Sequence, residues 1–141
     1  MFRKAFSKGK NKGFTLVEIM FVVAIIALLV GISIPGLLRA RMTSYDSMAQ
    51  AILKTISNAC ELYAAENAGQ YPTAIEDLTE ALPPYLNENY IAVARRGYNF
   101  TCDALDVSGY SCTAKPVTCN QTGTKDFTIT TGAVLISADC S

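Results

Sequence analysis

Five cysteines, one isolated glutamate and a complete lack of histidine frame the chemistry open to this chain. Without histidine there is no Ser–His or Cys–His pair to activate a nucleophile, and no histidine-based zinc site. The cysteines, Cys60, Cys102, Cys112, Cys119 and Cys140, contain no C-x-x-C, and no two are closer than seven residues. A thiolate metal site is therefore not expected, and neither is a cofactor. The only adjacent carboxylates, Glu76-Asp77, read as the solvated face of a short helix and not as an acid/base pair. These residue types argue against an enzyme and for disulfides formed outside the cytosol.

The isolated glutamate is Glu18, the sole charge between Phe14 and Leu38; Ile19–Leu38 is a run of 20 residues with none. Such a run is long enough to cross a hydrocarbon layer of about 30 Å as a helix. A carboxylate on such a helix costs about 3 kcal/mol or more at the bilayer centre and marks function by default. Ahead of the run, residues 1–13 hold Arg3, Lys4, Lys8, Lys10 and Lys12 without an acid, a charge of +5. The other 128 residues hold 7 basic and 12 acidic side chains, or −5, so the chain's formal zero hides a basic tip on an acidic body. By the positive-inside rule the N-terminus stays cytoplasmic. A secretory signal peptide fits poorly, because no small-x-small cleavage site follows the apolar run.

The elements that must carry these residues can be read from periodicity. The chain has 141 residues, 50% hydrophobic and 17% charged, with a mean hydropathy of +0.24, enough for one modest domain. Beyond the apolar run, Leu38, Met42, Tyr45, Ala49, Ile52, Ile56, Cys60 and Tyr63 recur at helical spacing, while Arg41, Asp46, Gln50, Lys54 and Asn58 fall largely off the stripe. One helix is expected from about Phe14 to Ala68, roughly 80 Å long. Gly69 would cap it, and Pro35, aided by Gly31, would kink it. Thr73-Ala74-Ile75-Glu76 reads as a capping box opening a short helix. Tyr98, Phe100, Cys102 and Ala104 then alternate with polar residues, as do Tyr110, Cys112 and Ala114. The turn Asp106-Val107-Ser108-Gly109 between them makes a hairpin, and Asp126–Thr131 with Ala133–Ser137 makes a second about Thr131-Gly132. The expected fold class is α+β: a long N-terminal helix, transmembrane then amphipathic, packed on a small antiparallel sheet of three or four strands.

The junction Gly13-Phe14-Thr15-Leu16-Val17-Glu18, behind a basic leader and before an apolar run, resembles the processing site of type IV pilins and type II secretion pseudopilins. The resemblance covers residues 8–68 well and extends more loosely to Tyr71-Pro72-Thr73 and the hairpins. It implies cleavage between Gly13 and Phe14 by a membrane prepilin peptidase, which also N-methylates Phe14. It implies polymerisation with like subunits, driven by a cytoplasmic assembly ATPase and an inner-membrane platform protein. Physical reasoning supports the role of Glu18. An unpaired ammonium on Phe14 and an unpaired carboxylate on Glu18 are each costly in an apolar filament core, so pairing Glu18 with the Phe14 ammonium of a neighbour satisfies both and sets axial register. The resemblance further implies that Gly31–Pro35 loses helical structure in an assembled filament.

Cys102 and Cys112 project from one face of the expected hairpin, in register about Val107, within reach of a disulfide. Cys119 and Cys140 would tie the last loop to the C-terminus, as C-terminal disulfides do in many pilins. Cys60 remains as a free core thiol or a link from helix to sheet. One free cysteine and two pairs allow 15 arrangements, so other connectivities stay open. Phe14, Phe21, Tyr45 and Tyr63 read as packing and not as an electron path. The sequons Asn99-Phe100-Thr101 and Asn120-Gln121-Thr122 read as chance, and outside the leader only Arg95-Arg96 is a basic pair, so no nucleic acid is indicated.

The expected organisation is a cleaved leader (1–13), a transmembrane and filament-core helix (14–38), its amphipathic continuation (39–68) and a globular head (69–141). The function implied is a structural subunit of a pilus-like filament. Before assembly it would span the inner membrane once, in contact with the lipid bilayer; afterwards it would stand in a periplasmic or cell-surface filament. Two alternatives stand beside it. A type II secretion pseudopilin lacks support from an acidic calcium-binding loop or a Pro-Trp-Gly-like stretch, as the chain has no tryptophan. A membrane-anchored binding domain that never polymerises would leave the N-terminus uncut and Glu18 without a purpose.

Overall fold

The computed structural model describes residues 13–91 and 93–141; the leader's Arg3, Lys4, Lys8, Lys10 and Lys12 lie outside the described residues. Among the described residues six elements follow in order: α1 (Leu16–Glu66), α2 (Glu76–Thr79), β1 (Tyr98–Asp106), β2 (Gly109–Pro116), β3 (Lys125–Thr130) and β4 (Val134–Asp139). The strands form one antiparallel meander in the order β1-β2-β3-β4. The chain divides into two compact units, one ending at Leu37 and the other Leu38–Ser141.

In the first unit α1 runs on through Gly31 and Pro35. Its large apolar side chains are exposed all round, from Leu16 and Val17 to Ile34 and Leu37. A helix that is apolar on every face needs lipid or other helices around it.

The second unit has a conventional core. The length of α1 from Leu38 onward contributes Ala49, Leu53, Ile56 and Cys60, and the sheet contributes Tyr98, Phe100, Tyr110, Cys112, Phe127 and Ile129. Ile75, Leu78 and Leu86 close it from the connecting segment. The helical stripe is broader than the single row of spacing suggested: Leu53, Ser57 and Ala64 are also buried, whereas Leu38 is exposed. A helix lying on a sheet covers an arc of about 100° or more, which takes in neighbouring rows. At its end Ala68 and Gly69 adopt positive φ (55° and 83°), and the Gly69 N–H donates to the Ala64 carbonyl. Glycine suits that left-handed turn because it has no Cβ to clash.

Two expectations are corrected here. The Thr73–Glu76 capping box does not form. α2 starts at Glu76 after Ile75, with no side-chain cap from Thr73. Asp77 takes the place of Glu76: its Oδ2 accepts from the Thr73 N–H at 3.0 Å, the Thr73 hydroxyl at 3.2 Å and the Ala74 N–H at 3.1 Å. The shorter carboxylate, one position later, faces the turn that precedes this single-turn helix and is half-buried there, whereas Glu76 stays exposed. The second correction concerns Ala104, placed by alternation on the core side. A β-bulge between Cys102 and Ala104 leaves Asp103 unpaired and shifts the pairing from Cys102↔Cys112 to Ala104↔Ser111. One extra residue inverts the pleat, so Ala104 is exposed and Leu105 packs against the core.

Candidate functional site

Gly13, Phe14 and Thr15 precede α1 in irregular backbone, and all three are exposed. A Cβ placed on Gly13 would meet nothing within 4 Å, and Phe14 is 84% exposed. Among the described residues nothing covers the Gly13–Phe14 peptide. Immediately after it, Thr15 and Glu18 form a reciprocal capping box. The Thr15 N–H and hydroxyl each donate to Glu18 Oε2 at 2.9 Å, and the Glu18 N–H donates to Thr15 Oγ1 at 3.2 Å. Such caps contribute about 1 kcal/mol to a helix start. Here the box also gives the lone carboxylate of the apolar run two donors from its own chain. The sequence analysis placed Thr15 in the junction motif without assigning it a cap, although T-x-x-E at 15–18 is the signature read, without success, at 73–76.

In the second unit, two carboxylates on α1 hold the sheet at two levels, and neither was singled out from sequence. Asp46 accepts from Tyr98 Oη at 2.6 Å and the Thr124 N–H at 3.1 Å through Oδ1, and from the Thr124 hydroxyl at 2.6 Å through Oδ2. Periodicity had put Asp46 largely off the packing stripe; it is half-buried because the loop before β3 folds down onto it. Gly123 permits this, since a Cβ there would overlap the Tyr98 hydroxyl. Further along, Glu61 accepts from the Tyr110 hydroxyl (3.0 Å) and Gly132 N–H (2.9 Å) through Oε1, and from the Tyr71 hydroxyl (3.0 Å) through Oε2. It therefore joins β2, the β3–β4 turn and the segment after α1. Burial, partly offset by the Ser57 hydroxyl bond and reinforced by Glu61, pushes the Tyr110 phenol up to about 12. Burial and then Asp46 push the Tyr98 phenol up further.

The cysteines divide into two bridges and one thiol. Cys102 joins Cys112 across β1 and β2, with Cα atoms 4.0 Å apart, and Cys119 joins Cys140 at 5.7 Å. The second bridge encloses β3 and β4 and fastens the loop that carries Thr124. Cys60 is free and buried, its thiol pushed up to about 12 by burial and then by the charge of Glu61. A thiol so far from ionisation is inert as a nucleophile.

Comparison with known proteins agrees with the junction. Residues 8–34 match the family described as the prokaryotic N-terminal methylation motif. The chain is 36% identical over 91 residues to the type II secretion system core protein G of Escherichia coli, covering 58% of this chain and 62% of that one. It is 43% identical over 56 residues to the type IV wide pilus major component PilA4 of Thermus thermophilus (40% of this chain, 43% of that one). With the type IV major pilin protein PilA of Myxococcus xanthus it shares 40% identity over 57 residues (40% and 26%). The chain spans less than two thirds of the length of each of these relatives. In the motif and in these matches the chain is similar to type IV pilins and type II secretion pseudopilins, whose names are those of filament and secretion components and not of enzymes.

Proposed function

We propose that this chain is a structural subunit of a type IV pilus-like filament, cleaved between Gly13 and Phe14, N-methylated at Phe14 and polymerised through residues 14–38. The observation that carries the reading is the exposed Gly13–Phe14 peptide set directly before the Thr15–Glu18 box and a helix apolar on all faces. Prepilin peptidase, the assembly ATPase and the platform protein are the partners of that pathway. The lipid bilayer holds the helix beforehand, with the N-terminus cytoplasmic. On assembly the Phe14 ammonium of a neighbour joins Glu18, whose Oε1 makes no hydrogen bond among the described residues. Gly31 and Pro35 supply the weak stretch at which the helix opens in the filament.

A second reading, a type II secretion pseudopilin, is favoured by the match to protein G, which extends over 91 residues against 56 and 57 for the two pilins. Intact mass and N-terminal sequencing of the protein from envelope and sheared surface fractions separates the two. A chain beginning at methylated Phe14 and abundant in the sheared fraction supports the pilus. The same chain confined to the envelope supports the pseudopilin. Retention of Met1–Gly13 in cells with a working prepilin peptidase overturns both.

A further inference from the structure

The uncharged run of α1 ends in two arginines with nothing in the fold to neutralise them. Arg39 and Arg41 are both exposed. No acid occurs before Glu18 or from Ile19 to Tyr45, so the first carboxylate beyond them is Asp46. That carboxylate is taken by Tyr98 and Thr124. Neither arginine has an acidic partner among the described residues. Arg41 is nevertheless held in place. Its Nε donates to Tyr45 Oη at 2.6 Å, and its guanidinium carbon lies 5.4 Å from the centre of the Tyr45 ring. Tyr45 is itself half-buried against the core of the second unit. One edge of the guanidinium is thus fixed, while both Nη groups make no hydrogen bond among the described residues.

A guanidinium with free Nη donors is shaped for phosphate oxygens, which it can meet with two parallel bonds. Position in the chain says which phosphates those are. Ile19–Leu38 is the length of helix that fills a hydrocarbon layer of about 30 Å, so Arg39 and Arg41 come where the headgroups begin. Residues two apart on a helix stand about 200° apart around its axis, so the two side chains leave it on opposite sides. A protein docked on one side would reach one of them. A lipid layer surrounds the helix and reaches both.

We propose that Arg39 and Arg41 form a collar that binds the phosphate groups of phospholipids, on the face of the bilayer opposite the leader, and holds the helix at a fixed depth before assembly. The proposal rests on the membrane-spanning helix of the filament reading. With the collar at those phosphates, Glu18 stands at the cytoplasmic edge of the hydrocarbon and the Gly13–Phe14 peptide lies beyond it. The lone carboxylate is then spared the bilayer centre, where its cost is greatest.

The test uses the full chain in vesicles, with tryptophan as a depth probe because the chain has none of its own. L28W reports insertion and L38W reports the collar, each read by quenchers fixed at known depths along the acyl chains. In vesicles of phosphatidylcholine and phosphatidylglycerol the L38W indole is expected at the hydrocarbon boundary. R39Q/R41Q should shift it by about one helical turn, 5 Å, or more. R39K/R41K should leave it in place, since an ammonium also binds phosphate. Galactolipid vesicles with the same acyl chains carry no phosphate and should produce the shift with both arginines present. An L38W depth unchanged by R39Q/R41Q, or unchanged in galactolipid, overturns the collar, because apolar length alone would then set the position. Recovery of the depth in galactolipid on adding inorganic phosphate assigns the arginines to a soluble anion and also overturns it. An L28W indole open to aqueous iodide in phospholipid is a separate failure, that of the membrane-spanning reading, and removes the collar with it.

Discussion

The Tyr110 hydroxyl donates to Glu61 Oε1 at 3.0 Å while lying 2.7 Å from the Ser57 hydroxyl, so one phenol joins β2 to two successive turns of α1. The Ala133 N–H donates to the same oxygen at 3.3 Å, which brings in the β3–β4 turn. Removing that hydroxyl strands three groups together. Tyr110→Phe should lower the stability of the second unit by about 1–3 kcal/mol, the usual cost of leaving a buried polar partner unsatisfied. Glu61→Gln keeps the volume but weakens acceptance from Tyr71, Tyr110 and Gly132, and should cost a similar amount. Thermal unfolding of the full chain in detergent, followed by near-ultraviolet dichroism, measures both. Midpoints within about 1 °C of the original would mean that apolar packing alone holds the sheet.

Gly123 is the complementary test at the Asp46 end. Its φ is not in the left-handed region; what it provides is space, because an added Cβ would overlap the hydroxyl and ring edge of Tyr98. Tyr98 is fully buried, so it cannot swing away cheaply. Gly123→Ala should destabilise the unit by about 1–3 kcal/mol through overpacking. It should also raise hydrogen exchange at Thr124, whose N–H is bonded to Asp46. Unchanged protection at Thr124 would show that the loop accommodates the methyl group without releasing the carboxylate.

The two disulfides close loops of different size, with sequence separations of 10 and 21. On chain entropy each contributes about 3 kcal/mol, the longer slightly more. The shorter one duplicates a register already fixed by the β1–β2 ladder, whereas the longer one has no ladder linking Cys119 to Cys140. Replacing Cys119 and Cys140 by serine should therefore lower the unfolding midpoint more than replacing Cys102 and Cys112. The reverse order would show that the bulged β1–β2 hairpin depends on its bridge for register.

Periodicity reached the long helix, the two hairpins of the antiparallel sheet and the β1–β2 turn because each is set by local spacing and by which face is apolar. It missed what depends on distant partners. Asp46 and Glu61 look like ordinary polar positions until Thr124, Tyr98, Tyr110 and Gly132 come down onto them, 52 to 78 residues away for Asp46 and 49 to 71 for Glu61. The bulge at Asp103 has no signal in an alternating run, so Ala104 and Leu105 exchanged faces unseen. The motif T-x-x-E shows the same limit. At 15–18 a long helix follows and the box closes, while at 73–76 only one helical turn forms and Asp77 competes successfully for the same donors.

Glu18 holds two roles that one substitution separates. A capping box accepts Gln in place of Glu at its third helical position, so Glu18→Gln preserves the Thr15 contacts while removing the charge. If the charge pairs with a neighbour's N-terminus, the variant should be cleaved and held in the envelope at normal levels but give about tenfold less sheared filament or worse. Thr15→Ala should do the opposite: it costs about 1 kcal/mol at the helix start and leaves the charge for assembly. Equal filament yield from Glu18→Gln and the unaltered chain would reduce Glu18 to a capping residue.

Alkaline pH should loosen the second unit, and the groups responsible are named by their surroundings. Tyr110 and Cys60 are each pushed up to about 12, from 10.0 and 9.0, mainly by burial. Tyr98 and Tyr71 move in the same direction, from burial first and then from their acidic partners Asp46 and Glu61. In all four the fold disfavours the ionised form. Their contribution to stability is therefore complete below the unfolded values, 9.0 for the thiol and 10.0 for the phenols, and is lost as pH rises through the folded ones. At the other extreme Asp106, held below 3.8 by the Ser108 hydroxyl and N–H, contributes above its unfolded value and loses that contribution as pH falls. The expected profile is level at neutral pH and falls between about 9 and 12. Phenolate absorbance of the full chain in detergent should reveal, among its seven tyrosines, a late-titrating class that ionises together with the loss of near-ultraviolet dichroism. Tyr110→Phe should shrink that class. If every tyrosine titrated near 10.0 with the dichroism intact, the phenols would not be held by Asp46 and Glu61 in solution.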